Sequence, residues 1–155
     1  VGGTALGTGR GELVEPVADP ATWWWVVVPS DQGLSTPAVY RRFDELSPDA
    51  PEEPADARAL LLALATGDPV ILAGALHNDL ESAALDLRPD LADLLELGEA
   101  SGALRGLVSG SGPTCLFLAE DADAAREVAA RLSESRSVVL VTNGPVAGAH
   151  VVTYA

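Results

Sequence analysis

The stretch Gly106-Leu107-Val108-Ser109-Gly110-Ser111-Gly112-Pro113-Thr114-Cys115-Leu116-Phe117-Leu118 constrains this chain most, because apolar runs enter and leave a loop of small residues. It reads as a strand, a glycine-and-hydroxyl turn, and a second strand. Glycines at 110 and 112 lack the Cβ that opposes positive φ and close approach, so successive backbone N–H groups can converge into an anion-binding nest. Ser109, Ser111 and Thr114 place hydroxyl donors around it. A plain hairpin turn accounts for most glycine-serine loops. The density of glycine and hydroxyl here points to a site.

Charge limits what such a nest can serve. The chain has 23 acidic residues against 9 basic ones, all arginine, and a net charge of −14. That balance disfavours broad contact with nucleic acid or an anionic membrane, so an anionic ligand needs local compensation. With no lysine, the chain lacks the phosphate-binding lysine of a P-loop and the strand lysine of a protein kinase. The 155 residues, about half of them apolar, suffice for one domain with a real core. There is no signal peptide and no apolar run of membrane-spanning length, and a cytoplasmic location is expected. Cys115 has no intrachain partner and reads as a small buried apolar residue. As a nucleophile it would need a base, and the two histidines, His77 and His150, are not spaced to supply one.

Before the loop, Gly2 to Glu12 carries five glycines. It fails as a dinucleotide fingerprint, since no strand precedes it and Leu13-Val14-Glu15-Pro16-Val17 does not read as a helix. An edge hairpin over residues 1–20 is expected. Trp23 to Val28 is a strand with two apolar faces, Trp23, Trp25 and Val27 on one and Trp24, Val26 and Val28 on the other, hence central or lying under a domain partner. Thr36 as a hydroxyl N-cap before Pro37 starts a helix with Tyr40 one turn in, and Ser47 to Pro54 is a connector. Ala57 to Ala65, with leucines at 60, 61, 62 and 64, predicts a mostly covered helix. Pro69 opens the next, with Val70, Ile71, Leu72, Leu76 and Leu80 facing inward. The polar cluster His77-Asn78-Asp79-Leu80-Glu81 reads as a solvated or capping face, not a metal site, with His77 and Asn78 supporting the fold. Arg88-Pro89-Asp90 opens a helix carrying Leu91, Leu94 and Leu95, which Gly98 or Gly102 ends.

After the loop, Glu120 to Asp123 opens a helix carrying Ala125, Val128, Ala129 and Leu132. Ser137 to Val141 reads as a strand, Asn143-Gly144-Pro145 as a turn and Ala149 to Thr153 as a last strand. The order predicts an α+β fold: a ferredoxin-like antiparallel sheet of about four strands with helices on one face and a helical insertion.

The loop Ser109-Gly110-Ser111-Gly112-Pro113-Thr114 between strands resembles the third conserved motif of the GHMP kinases. Four further stretches are similar to the branch of that family that phosphorylates the 2-hydroxyl of 4-diphosphocytidyl-2-C-methyl-D-erythritol with ATP, in non-mevalonate isoprenoid synthesis. They are Gly2-Gly3-Thr4-Ala5 with Gly9-Arg10-Gly11-Glu12, Pro29 through Tyr40, Asn78-Asp79-Leu80-Glu81, and Gly144-Pro145-Val146-Ala147-Gly148-Ala149. The resemblance runs nearly end to end. It implies that residues 21–155 are a GHMP kinase C-terminal domain and that residues 1–20 are an edge hairpin or the tail of an N-terminal kinase domain. The catalytic aspartate would then lie just before Val1, and the ATP-binding glycine loop and lysine further upstream. The absence of Met and Lys agrees with a piece of a longer protein.

The same resemblance implies that Tyr40 stacks on the cytosine, that Thr36 sits beside it, and that Gly9 and Arg10 line the cytidine pocket. Ser109, Gly110, Ser111, Gly112 and Thr114 would pass beneath the phosphates. It implies no catalytic residue and no metal ligand in this chain. ATP and Mg serve the full-length enzyme, and neither is expected on this chain alone, which should be inactive by itself. The expected partners are a cytidine diphosphate derivative and the protein's own N-terminal kinase domain, with no nucleic acid and no membrane. Taken without the resemblance, Tyr40 reads as a helix residue covering the core and Arg10 as a surface charge. The alternative function is a stand-alone small-molecule-binding plait domain of regulatory type, its Gly110 loop holding an effector.

Overall fold

The computed structural model describes residues 2–51, 54 and 56–149. The glycine-rich start is a two-stranded antiparallel hairpin, β1 (Thr4–Thr8) with β2 (Leu13–Val17), and Gly9 and Gly11 take positive φ at its tip. Strand β3 (Trp23–Val28) comes next and stops before Pro29, which has no N–H to continue a ladder. Five helices follow: α1 (Thr36–Leu46), α2 (Arg58–Thr66), α3 (Pro69–Ala75), α4 (Glu81–Leu87) and α5 (Asp90–Ala100). The chain then makes β4 (Arg105–Val108), β5 (Cys115–Ala119), α6 (Ala122–Leu132) and β6 (Leu140–Gly144). These last strands join β3 in an antiparallel sheet ordered β4-β5-β3-β6. The expected α+β fold, with a four-stranded antiparallel sheet and a helical insertion, is what forms.

Strand alternation sorts the core. Trp24, Val26 and Val28 lie opposite Ala119, Phe117 and Cys115, and on that face they join residues of α1, α4, α5 and α6 in the main cluster. Val26, Phe117 and Val108 are completely buried there. Trp23, Trp25 and Leu118 point the other way. On that second face they meet Ala63 and Leu64 of α2 and Leu72 and Ala73 of α3, so part of the helical insertion reaches around the sheet. Two apolar faces on β3 thus correspond to two covered faces.

Several local readings shift. Helix α1 is capped by Ser35, not Thr36, and Ser35 makes no side-chain cap bond. The Thr36 hydroxyl goes to a tertiary partner instead. Leu62 is 70 % exposed, because apolar side chains at 60, 61, 62 and 64 point all round a helix that packs on one side only. Val70 and Ile71 are likewise exposed on α3. That helix ends at Ala75, with Leu76 extended, because Asn78 bonds locally: its Oδ1 accepts from Leu80 N at 3.1 Å and its carbonyl from Glu81 N at 3.0 Å. The strand expected at 137–141 forms at 140–144. The amides of Ser135 and Arg136 still bond Leu132 O as the α6 terminus unwinds, and the ladder with β3 carries through the Asn143-Gly144 turn signal until Gly144 lies opposite Trp23. The strand expected at 149–153 falls largely on 150–153, outside the described residues.

Helix α5 does not end at Gly98. Gly102, at φ +109°, follows its end, while Gly98 serves packing: a Cβ there would sit 2.1 Å from Phe117 Cε1. Gly106 on β4 leaves room for the same ring, where a Cβ would stand 3.0 Å from it. The two glycines let Phe117 lie flat between helix and sheet, which brings α5 close beneath the strands that carry the loop.

Candidate functional site

Strand β4 is an edge strand, so its outward amides have no ladder partner. Two carboxylates satisfy them. Glu99 Oε1 accepts from Gly106 N at 2.9 Å and Glu81 Oε2 from Val108 N at 2.8 Å. Arg105 lies between the two carboxylates, 3.4 Å from Glu81 and 3.7 Å from Glu99. The edge is thereby closed by side chains and delivers the chain to the loop in a fixed register.

The loop itself is a tight turn. Ser109 N donates to Thr114 O at 2.8 Å and Gly112 N to Ser109 O at 2.9 Å. Gly110 and Gly112 take positive φ, +57° and +77°, and the Gly112-Pro113 bond is cis. A Cβ on Gly112 would stand 2.9 Å from Val108 Cγ1, whereas the position at Gly110 opens to free space. Ser109 and Gly110 are exposed and Ser111 to Thr114 half-buried, so one side of the loop faces outward. The amides of Gly110 and Ser111 donate to no acceptor among the described residues. Two successive free N–H groups with hydroxyls beside them suit the oxygens of a phosphate.

Asn78 fixes the inner side of this turn. Its Nδ2 donates to Val108 O at 2.8 Å and to Gly110 O at 2.9 Å, one bond on each side of Ser109. The sequence places Asn78 among fold-supporting residues, and the structure gives that support a specific object. Glu81, in the same polar cluster, holds the strand leading in. The likeness of Asn78-Asp79-Leu80-Glu81 to the kinase family marked these residues, but not their targets, because their partners lie 27 to 32 positions away along the chain. His77 meets only Asp79, at 2.8 Å, with both side chains exposed. Among the described residues no three His, Cys, Asp or Glu side chains cluster so as to hold a metal ion.

Thr36 and Ser111, 75 residues apart, share a hydrogen bond at 2.8 Å between their hydroxyls. This ties the first turn of α1 to the loop. Tyr40 is four residues further on, so it lies on the same face of α1 as Thr36, and it is 54 % exposed. It covers no core; the buried residue of that turn is Val39. Thr36, bonded to the loop, and Tyr40, one turn on, therefore share one face of α1. Gly9 and Arg10 lie at the hairpin tip, where Arg10 N donates to Glu12 Oε2 at 2.6 Å. Among the described residues no hydrogen bond or ion pair joins them to α1 or the loop.

Two further groups set the electrostatics behind the site. Arg88 holds both carboxylate oxygens of Asp90 at 2.7 Å and reaches Gln32 O at 3.0 Å, bracing the segment that leads into α1. The hydrogen bond from Arg88 draws the Asp90 carboxyl below its ordinary value. Cys115, fully buried at the loop's exit, has its thiol pushed up to about 12, first by burial and then by the charge of Glu81. It stays a thiol and packs as an apolar group.

With this geometry the chain was compared with known proteins. The family described as "GHMP kinases C terminal" matches residues 60–137. Over 156 residues the chain is 68 % identical to the 4-diphosphocytidyl-2-C-methyl-D-erythritol kinase of Nocardioides sp. (strain ATCC BAA-499 / JS614), covering all of this chain and 52 % of that protein. To the protein of the same name from Thermobifida fusca (strain YX) it is 55 % identical, over 98 % of this chain and 50 % of the relative. A crystal structure of 4-(cytidine 5'-diphospho)-2C-methyl-D-erythritol kinase superposes with a TM-score of 0.70 at 32 % identity, covering 94 % of this chain and 50 % of that one. Homoserine kinase from Cytophaga hutchinsonii gives a TM-score of 0.69 at 19 % identity, covering 94 % and 49 %, a likeness of fold. The chain spans about half the length of the curated relatives it matches.

Proposed function

The chain belongs to the GHMP kinase family through its C-terminal domain, and on that premise we propose that it is the substrate-side half of an ATP-dependent 4-diphosphocytidyl-2-C-methyl-D-erythritol kinase. The reaction is transfer of the ATP γ-phosphoryl group to the 2-hydroxyl of the methylerythritol, within non-mevalonate isoprenoid synthesis. The observation that carries this reading is the 68 % identity to a protein of that name over the whole of this chain. A stand-alone regulatory plait is not favoured, since the relatives that match this chain over nearly its whole length are kinases.

In this reading Tyr40 is the platform on which the cytosine stacks, and the Thr36 hydroxyl lies beside it. The free amides of Gly110 and Ser111, with the Ser109, Ser111 and Thr114 hydroxyls, donate to phosphate oxygens. Phosphoryl transfer asks a protein mainly to position and to neutralise, and preorganised N–H donors do so without rearranging at the moment of reaction. The proton acceptor and the grip on ATP belong to the other half of the enzyme. Mg would accompany ATP there. Gly9 and Arg10 line the cytidine pocket by family likeness alone. Residues 1–20 form the seam with that other half, and the location is the cytoplasm.

Tyr40→Ala in the full-length kinase tests the assignment. Base–aromatic stacking of about 1–3 kcal/mol predicts a rise in KM for the cytidyl substrate of roughly five- to 150-fold, with kcat little changed. The chain alone should turn over no ATP. An unchanged KM in Tyr40→Ala removes Tyr40 from the site.

A further inference from the structure

Asn78 makes two long-range bonds that no step above uses. We propose that it is a positioning residue for phosphate binding: its carboxamide turns the Gly110–Ser111 peptide so that the Ser111 N–H faces the ligand. This rests on the kinase reading and deepens it.

The argument is one of peptide geometry. In a planar trans peptide the C=O of one residue and the N–H of the next point in opposite directions. Asn78 holds the Val108 and Gly110 carbonyls at 2.8 and 2.9 Å. Holding the Val108 carbonyl inward directs the Ser109 N–H the other way, where it donates to Thr114 O at 2.8 Å. Holding the Gly110 carbonyl does the same to the Ser111 N–H, but no protein acceptor lies in its path among the described residues. One carboxamide therefore sets two peptides: the first closes the turn and the second aims a donor outward.

Gly110 is where this control is needed. With φ at +57° and no atom within 4 Å of a notional Cβ, Gly110 offers no side chain of its own to hold this peptide, which depends on bonds to its neighbours: the Gly112 N–Ser109 O turn bond, the Thr36–Ser111 bond and Asn78. Asn78 is itself anchored. Its Oδ1 accepts from Leu80 N at 3.1 Å, and Glu81, three residues on, holds Val108 N. The cluster between α3 and α4 is thus a clip closed over the loop from the side opposite to its open face. Aspartate at this position has the same shape but turns the donor into an acceptor and repels both carbonyls. The Gly110–Ser111 peptide then loses the bond that holds its carbonyl on the inner side.

The test uses the full-length kinase with Asn78→Asp. Calorimetric affinities for cytidine and for cytidine 5'-diphosphate separate the base platform from the phosphate donors, and steady-state kinetics with the full substrate give kcat. The expected result is at least about a tenfold loss of diphosphate affinity with cytidine affinity kept. The kcat should fall about 100-fold, the scale of a misplacement of roughly 1 Å in a reacting group. Diphosphate affinity and kcat equal to the parent's overturn the proposal. So does a parallel loss of cytidine affinity, diphosphate affinity and melting midpoint, which is the mark of a merely structural residue. A parent enzyme that binds no cytidine ligand refutes the kinase reading itself, a result distinct from a normal parent with a normal variant. Should Asn78→Asp not fold, Asn78→Ser, which keeps one donor, is read against the same outcomes.

Discussion

The two glycine-rich turns of this molecule, Gly9–Gly11 at the hairpin tip and Gly110–Gly112 between β4 and β5, use the same residues to opposite ends. Both contain glycines at positive φ. The hairpin tip is held by bonds within its own few residues, Gly11 N to Thr8 O and Arg10 N to Glu12, and β1 and β2 are largely exposed. The second turn is held from outside by Asn78 and Thr36 and rests on strands whose Val108 and Cys115 are fully buried. Glycine supplies freedom in both places. Only distant parts of the chain convert that freedom into a defined array of donors, and a binding loop is distinguished from a turn by its backing.

Substitutions can break this contrast, the largest effect lying in the backing itself. Gly98→Ala drives a methyl to 2.1 Å from the buried Phe117 ring. It should cost about 3 kcal/mol, the upper end of overpacking penalties, and splay the β4–β5 strands. Urea denaturation of the full-length protein measures it, and a loss below about 1 kcal/mol would show that the ring under the loop is free to move.

At the turns, Gly112→Ala combines φ +77° with a Cβ 2.9 Å from Val108 Cγ1. About 1–3 kcal/mol is expected, with kcat falling as the loop distorts. Gly11→Ala, at φ +94° in open space, should cost about 1 kcal/mol and leave kcat alone. Equal losses of stability and activity in the two variants would erase the distinction between backed and unbacked turns.

A smaller, electrostatic effect sharpens the comparison, because Arg88 braces the segment leading into α1 through Gln32, while among the described residues the Arg10 side chain makes no hydrogen bond or ion pair. Asp90 is drawn below its ordinary value of 3.8 by the Arg88 hydrogen bond, so the folded state holds this proton less tightly than the unfolded chain. That contribution is present above the ordinary value and disappears as pH falls through the lowered one. The melting-point gap between parent and Asp90→Asn should therefore be small near neutrality and close in acid. A gap that widens below pH 3.8 would reverse the assignment.

Much of the architecture is legible in residue order. Alternation across Trp23 to Val28 gives a central strand, the acidic run Glu120 to Asp123 opens α6, and the loop announces itself between two apolar strands. What failed were local signals outweighed by distant partners. The Thr36 hydroxyl looked like a cap and went to Ser111; Asn143-Gly144 looked like a turn and was absorbed into the ladder with β3. Tyr40 read as a core residue from its spacing and stands exposed on α1.

By itself the sequence determined the elements, the two-faced strand and the place of the glycine loop, since periodicity, proline and glycine act within a few residues of where they stand. Tertiary structure alone decided which side of that loop is open and what holds the other side. Those bonds cross 27 to 75 positions, and hydrogen-bond partners at that range are selected by packing, not by neighbours along the chain.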